Sequence, residues 1–293
     1  MSNINHLADQ FVKVAAVQMA CGGDLSVNLD TAIRLVRAAA AKGAQVILLP
    51  ELFSHQYFCK RQKPDHFALA SRLSESIVIQ TLQTLAEDLE VVLPVSFFER
   101  ADNAYFNSMA MIDADGSILG VYRKSHIPDG PGYQEKFYFS PGDTGFKVWQ
   151  TRYAKIGVGI CWDQWFPEAA RCMCLDGAEL LLYPTAIGSE PEEPEVDSKL
   201  HWQTVMRGHA GANMTPVIAS NRIGFERDDH IEIGFYGSSF VADWDGRLVA
   251  EASRDTEALL THTFDLKALH ELRAGWGLFR DRRPDLYHRL IQY

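Results

Sequence analysis

The chain has 293 residues, 47% of them hydrophobic and 23% charged, enough to bury a large α/β core without disulfides or a structural metal. Its formal charge of -10, from 38 acidic and 28 basic residues with no block of Lys or Arg, argues against nucleic acid or an anionic membrane as partner and suits a cationic small molecule. The cysteines at 21, 59, 161, 172 and 174 are odd in number and lack framework spacing. With no basic-then-apolar signal pattern in residues 1–10 and no apolar run near the ~20 residues of a membrane span, the expected location is cytoplasmic.

In chain order, residues 11–19 read as a mostly apolar strand. Residues 28–42 repeat apolar positions at helical spacing until Gly43, and 46–49 form a second buried strand. Residues 74–89 are predicted helical, and 91–98 form a strand too apolar to face water on either side. An inserted antiparallel pair, 108–112 and 118–123, is expected around the turn Asp113-Ala-Asp-Gly116. The alternation resumes with a strand at 155–160, a helix from Pro167 to about Asp176, a strand at 179–183, a helix at 197–213 and a strand at 217–221. A second hairpin over 239–250 turns at Asp245-Gly246, and the two halves look related in plan. No linker or short repeat interrupts this, so one α/β domain over 1–293 is expected, with a core over 11–265 and a tail over 266–293.

Reactive groups in open α/β sheets gather where strands end. Glu51 follows Val46-Ile-Leu-Leu-Pro50, Lys124 follows Leu119-Gly-Val-Tyr-Arg123, and Cys161 follows Ile156-Gly-Val-Gly-Ile160, which supplies a base, a cation and a nucleophile. Each has a plainer reading, as a loop acid, a solvated lysine and a small core residue. Gly157 and Gly159 thin the strand before Cys161, while Trp162-Asp163 and Pro167 open a helix at once. That layout would place the sulfur near a helix N-terminus, where thiolate is stabilised. The apolar run before Glu51 implies a buried carboxyl able to carry protons near neutrality, and Lys124 could hold an oxyanion. Glu135, among the aromatics of Gly132-Tyr-Gln-Glu-Lys-Phe-Tyr-Phe139, is a fourth candidate that the residues alone leave open between chemistry and an ion-paired loop.

Metal and phosphate sites fit poorly. The histidines form no His-x-x-x-His pair, Cys172-Met-Cys174 on a helix would aim its sulfurs apart, and Gly157-Val-Gly159 lacks the remainder of a phosphate loop. No metal and no organic cofactor is expected.

Leu48-Leu-Pro-Glu-Leu-Phe53, Tyr122-Arg-Lys-Ser-His-Ile-Pro128 and Gly159-Ile-Cys-Trp-Asp-Gln-Trp-Phe-Pro-Glu168 resemble, in order, the three motifs of the nitrilase superfamily. The likeness runs from about Lys13 to Asp265. It implies a four-layer α-β-β-α sandwich and C–N bond hydrolysis with Glu51 as base and acid, Lys124 as oxyanion partner and Cys161 as nucleophile. Glu135 would be a second acid that sets either substrate or Lys124, and the Trp162 backbone N–H would complete the oxyanion site. Within the superfamily, the stretch from Lys124 through Tyr133 to Phe139 and Tyr183-Pro-Thr-Ala-Ile-Gly-Ser-Glu190 are similar to the branch that hydrolyses N-carbamoylputrescine. Relatives acting on carbamoyl amino acids place arginine just after the catalytic cysteine, whereas Gln164 and Trp165 stand here. With Asp129, Glu190, Glu192 and Glu193 near the motifs, this suits a cationic carbamoyl amine as substrate. Ser189-Glu-Pro-Glu-Glu-Pro-Glu195 reads equally as a solvated loop, and Glu190 is preferred for the distal amine. Another amidase or ureidopropionase-like activity is the alternative on the same triad, and a non-catalytic interaction protein the alternative from another class. Relatives assemble as dimers or assemblies of dimers, so a homo-oligomer with the tail at a subunit boundary is expected.

Overall fold

The computed structural model describes residues 11–293, so the expectation for residues 1–10 lies outside it. The first half runs β1 (Phe11–Ala20), α1 (Leu25–Ala41), β2 (Val46–Leu48), α2 (Ile77–Leu89), β3 (Leu93–Ala101), β4 (Ala104–Ile112) and β5 (Ile118–Arg123). The second runs β6 (Val148–Gln150), β7 (Lys155–Val158), α3 (Pro167–Leu175), β8 (Leu180–Pro184), α4 (Lys199–Asn213) and β9 (Val217–Ser220). It continues through β10 (Arg222–Asp228), β11 (Ile231–Tyr236), β12 (Phe240–Ala242), β13 (Leu248–Glu251), β14 (Ala258–Asp265) and α5 (Leu266–Trp276).

Two sheets stack face to face, each covered by a helix pair, and the two-residue side-chain period of the strands explains why. Val14 and Ala16 of β1 and Leu48 of β2 point inward, against Val158 of β7, Leu180 and Leu182 of β8, and Ile218 of β9. Their neighbours Ala15, Val17 and Ile47 point outward onto Leu35 and Val36 of α1 and Leu82 and Leu85 of α2. On the far side Leu181, Tyr183, Val217 and Ala219 meet Met173 of α3 and Trp202 and Met206 of α4. Each buried aliphatic chain contributes roughly 1.5–3 kcal/mol, so strands sheltered on both faces are continuously apolar. The result is the expected four-layer α-β-β-α sandwich.

One sheet has the strand order β11-β10-β1-β14 with β2 also on β1, the facing sheet is β13-β12-β9-β8-β7-β6, and β3-β4-β5 forms a three-stranded sheet tied to the end of β2 by the Val46↔Val92 bridge. The expected antiparallel pair of 108–112 with 118–123 is present, from Ser108↔Arg123 to Ile112↔Ile118, but it is not a separate insertion, since β4 also pairs antiparallel with β3 from Leu93↔Ile112 to Ala101↔Ala104. The turn that joins β3 to β4 was missed because it uses Asp102 at φ 54 rather than a glycine. Helix α1 starts three residues before its prediction because the Asp24 carboxylate accepts from Ser26 N at 2.8 Å and caps it. Helix α2 starts later than predicted, capped by Ser76 after a short 3-10 turn at Leu73–Glu75. The hairpin of β10 and β11, the short β6 and α5 were not anticipated. Glu226, Arg227, Asp228 and Asp229 make the hairpin look like solvated loop.

Gly157 and Gly159 do serve close packing. A Cβ on Gly159 would lie 2.7 Å from the Tyr183 ring, and one on Gly157 would lie 3.0 Å from Met173. Cys172 is exposed and Cys174 buried, so the two sulfurs do point apart. Among the described residues no helix is long and apolar enough to cross a membrane.

Candidate active site

Glu51 sits just beyond β2, Lys124 directly after β5, and Cys161 past the end of β7, so three strand ends deliver the three groups. All three are buried, Glu51 at 0%, Lys124 at 1% and Cys161 at 6% exposure. Lys124 Nζ donates to Glu51 Oε1 at 2.8 Å and to Glu135 Oε2 at 2.7 Å, so one ammonium bridges two carboxyls away from water. Burial alone would lower the Lys124 pKa, but Glu135 and Glu51 outweigh it and hold it well above the ordinary lysine value. Burial pushes the Glu135 carboxyl up despite Lys124, and the nearby Glu51 adds to that. The position of Glu135, open in the sequence, is therefore against Lys124, while its side chain also lines the cavity.

Two further residues complete the carboxyl geometry. Asn107 of β4 donates to Glu51 Oε1 at 2.6 Å, and Tyr57 OH donates to Glu135 Oε1 at 2.6 Å. Of the four oxygens of Glu51 and Glu135, Glu51 Oε2 is the one left without a partner among the described residues, as suits a proton acceptor. Sequence reasoning missed both residues. Asn107 is one polar side chain inside an otherwise apolar strand, and Tyr57 lies in a segment without periodic pattern.

Cys161 occupies a sharp turn with φ 40, a left-handed conformation that costs a residue with a side chain roughly 1–3 kcal/mol. A 3-10 turn begins at Cys161 itself and runs to Trp165, and α3 follows from Pro167, so the sulfur stands at the start of the short turn rather than of the α-helix. Burial pushes the thiol well above its ordinary pKa, and Glu51 raises it further. Lys124 and the Ala186 backbone act the other way without prevailing. This runs against the expectation of a thiolate stabilised at rest, because burial and Glu51 favour the protonated form. The turn is braced by Asp163, whose Oδ2 accepts from Ile160 N at 2.9 Å and Tyr122 OH at 2.7 Å. Its Oδ1 accepts from His126 N at 3.0 Å.

Cys161 opens onto a cavity of about 350 Å³ whose lining includes Tyr57, Asp129, Tyr133, Glu135, Trp162 and Glu190. Tyr133 OH donates to Ser189 O and accepts from Gly188 N, both at 3.1 Å, which ties the Cys161 side of the cavity to the Glu190 loop. Burial pushes the Glu190 carboxyl up, and Glu193 adds to it. Asp129 is exposed. Glu192, Glu193 and Glu195 are exposed and absent from the lining, which bears out the solvated-loop reading for them. Among the described residues no Lys or Arg lines this cavity. Gln164 Oε1 accepts from Trp202 Nε1 at 2.7 Å and Thr185 Oγ1 at 3.3 Å, which fixes its Nε2 as a buried donor without a partner. Among the described residues no cluster of three His, Cys, Asp or Glu could hold a metal ion.

Cys161 lines the cavity, while Lys124 and Glu51 are paired beside it and their charges act on the thiol, a set of groups that suits a covalent hydrolase. Over residues 13–274 the chain matches the carbon-nitrogen hydrolase family. It is 60% identical over 287 residues to the N-carbamoylputrescine amidase of Solanum tuberosum, an alignment covering 97% of this chain and 96% of the relative. It is 58% identical over 281 residues to the citrullinase of Francisella tularensis subsp. tularensis, with 96% and 98% covered. The crystal structure of a carbon-nitrogen hydrolase from Helicobacter pylori G27 superposes with a TM-score of 0.90 at 41% identity, covering 96% of this chain and 99% of that one. The protein belongs to the carbon-nitrogen hydrolase family, the nitrilase superfamily, and is an enzyme of that class.

Proposed function

We propose that this enzyme hydrolyses N-carbamoylputrescine to putrescine, carbon dioxide and ammonia, a step of putrescine biosynthesis. The observation that carries this reading is the Cys161 cavity, with Glu190 in its wall and no Lys or Arg among its lining residues, which suits a substrate whose far end is an ammonium. Relatives about 60% identical that bear the amidase name support it.

In this mechanism Glu51 Oε2 takes the proton of Cys161, and the sulfur attacks the carbamoyl carbon. Lys124 and the Trp162 backbone N–H hold the oxygen as it gains charge. Glu51 returns the proton to the departing nitrogen, so putrescine leaves and a carbamoyl thioester remains on Cys161. Glu51 then takes a proton from water as the water adds to the thioester. The sulfur is released as thiol, and the carbamic acid breaks down to carbon dioxide and ammonia. Glu135 and Tyr57 keep Lys124 aimed throughout, and no step requires a metal or organic cofactor.

Tyr133, Asp129 and Glu190 are assigned to the amine end. Glu190→Gln is expected to raise KM for N-carbamoylputrescine about tenfold or more while kcat changes less, because a charge pair is lost away from the reacting bond. N-carbamoylbutylamine, which lacks the ammonium, should respond little to the same substitution. An equal change for both compounds would remove Glu190 from this role.

A second reading, hydrolysis of citrulline, is favoured by one feature: Gln164 Nε2 and Trp165 Nε1 on the cavity wall are buried donors without partners, which a carboxylate would satisfy. Steady-state turnover on the two compounds side by side separates the readings.

The whole chain is read as one catalytic unit, with the tail at the boundary of a homo-oligomer. Trp276, Leu286, Leu290 and Ile291 are 65%, 65%, 64% and 83% exposed, more apolar surface than a solvated tail needs. Truncation after Trp276 should lower the sedimenting mass to that of smaller assemblies, and an unchanged mass would rule the boundary out. Five cysteines without disulfides suit a cytoplasmic setting.

A further inference from the structure

Beneath the candidate site lies a second set of buried charges that the mechanism does not use. Arg222, Glu226 and Lys60 are 0%, 3% and 1% exposed. Arg222 Nη2 donates to the carbonyls of Glu51 at 2.8 Å and Leu52 at 3.0 Å. Its Nη1 donates to Glu226 Oε1 at 2.7 Å and to His55 O at 3.3 Å. Glu226 Oε2 accepts from Tyr57 N at 2.6 Å and from Lys60 Nζ at 3.1 Å. One guanidinium and one carboxylate therefore grip the backbone of a single segment at four residues, Glu51, Leu52, His55 and Tyr57.

That segment is the one whose side chains face the reacting groups. Glu51 meets Lys124 and Asn107, and Tyr57 meets Glu135. It has no regular structure to hold it, and Leu52 sits at φ 47, a strained conformation that persists only when its surroundings impose it. Ser96 Oγ on β3 accepts Leu52 N at 3.0 Å from the other side. Arg222 is anchored in turn at the start of β10, which pairs with β1 at Met19↔Arg222, so the grip is mounted on the sheet.

A role in stability alone is a poor account of this cluster. Burying three charges costs several kcal/mol per ion before their attraction is counted, and well-packed apolar chains often do as well or better. The donors here are aimed at successive carbonyls of the loop, a task for which the rigid fork of arginine is suited and the point charge of lysine is not.

We propose that Arg222 and Glu226 are positioning residues that hold the 51–57 backbone so that the Glu51 carboxyl and the Tyr57 hydroxyl meet Lys124 and Glu135 in reactive alignment. The inference rests on the catalytic assignment of Glu51, Lys124 and Cys161 made above. A displaced base leaves the amine end of the cavity intact, so the loss falls on kcat rather than on KM.

The test measures ammonia release from N-carbamoylputrescine and from citrulline by Arg222→Lys, Glu226→Gln, Ser96→Ala and Glu51→Gln, each normalised to folded protein by circular dichroism. Arg222→Lys and Glu226→Gln are expected to lower kcat about 10- to 100-fold with KM within about twofold of wild type, since small misplacements of a catalytic group cost that much. Ser96→Ala, a neutral change expected to fold, should lower kcat severalfold in the same pattern, and it decides the matter if the charged variants do not fold. If folded Arg222→Lys and Ser96→Ala keep wild-type kcat, or lose activity only through KM, while Glu51→Gln is inactive, the positioning role is overturned alone. An active Glu51→Gln instead overturns the catalytic assignment beneath it.

Discussion

Cys161→Ala is expected to abolish ammonia release from N-carbamoylputrescine, with turnover falling on the order of 10⁶-fold, as when a serine hydrolase loses its nucleophile. The sulfur is the atom that would carry the carbamoyl group, and Glu135 beside it is already committed to Lys124 and Tyr57. Alanine fits the site, so the variant should fold and still bind substrate. Because burial and Glu51 hold the resting thiol well above its ordinary pKa, proton removal must accompany attack. Glu51→Gln should therefore also suppress reaction of Cys161 with a small neutral alkylating amide, while the exposed Cys172 reacts as before. Near wild-type turnover by Cys161→Ala would end the covalent scheme.

The second large effect is expected at Lys124. Lys124→Met removes the cation between Glu51 and Glu135, and breaking a buried pair on one side costs about 3–5 kcal/mol because the partner charge is stranded. Two carboxyls are stranded here, both with fully buried side chains. Urea unfolding should show a lower midpoint for Lys124→Met, and Lys124→Met/Glu135→Gln should recover part of it by removing one of the two acids. Neither variant should recover activity, since the oxyanion loses its cation and such a donor is worth about 10²–10³ in kcat. A single variant as stable as wild type would mean that Lys124 does not hold the carboxyls together.

The His126 and Asp163 pair shows how far motifs reach. The two residues belong to different motifs, and only the fold brings His126 Nδ1 to 2.7 Å from Asp163 Oδ1, joining the segment after Lys124 to the turn that carries Cys161. The motifs were legible because each places its reactive residue directly after an apolar strand, which is a local signal. The thiol's proton affinity was misjudged for the opposite reason. Sequence proximity to Pro167 suggested a helix end, whereas desolvation by residues distant in the chain decides the matter. Asn107 and Tyr57 carried no sequence signal because their importance lies only in which carboxyl they touch.

The layered architecture and the three reactive residue types follow from the sequence itself. Strands apolar at every position must be covered on both faces, and the Glu, Lys and Cys stand where those strands stop. Tertiary structure alone decided that one ammonium bridges two carboxyls, that one oxygen of Glu51 is left unpartnered, and that Arg222 grips the loop beneath it from a residue 171 positions away. The physical reason is that burial and charge pairing depend on what surrounds a group in space, and no local pattern of residues encodes those neighbours.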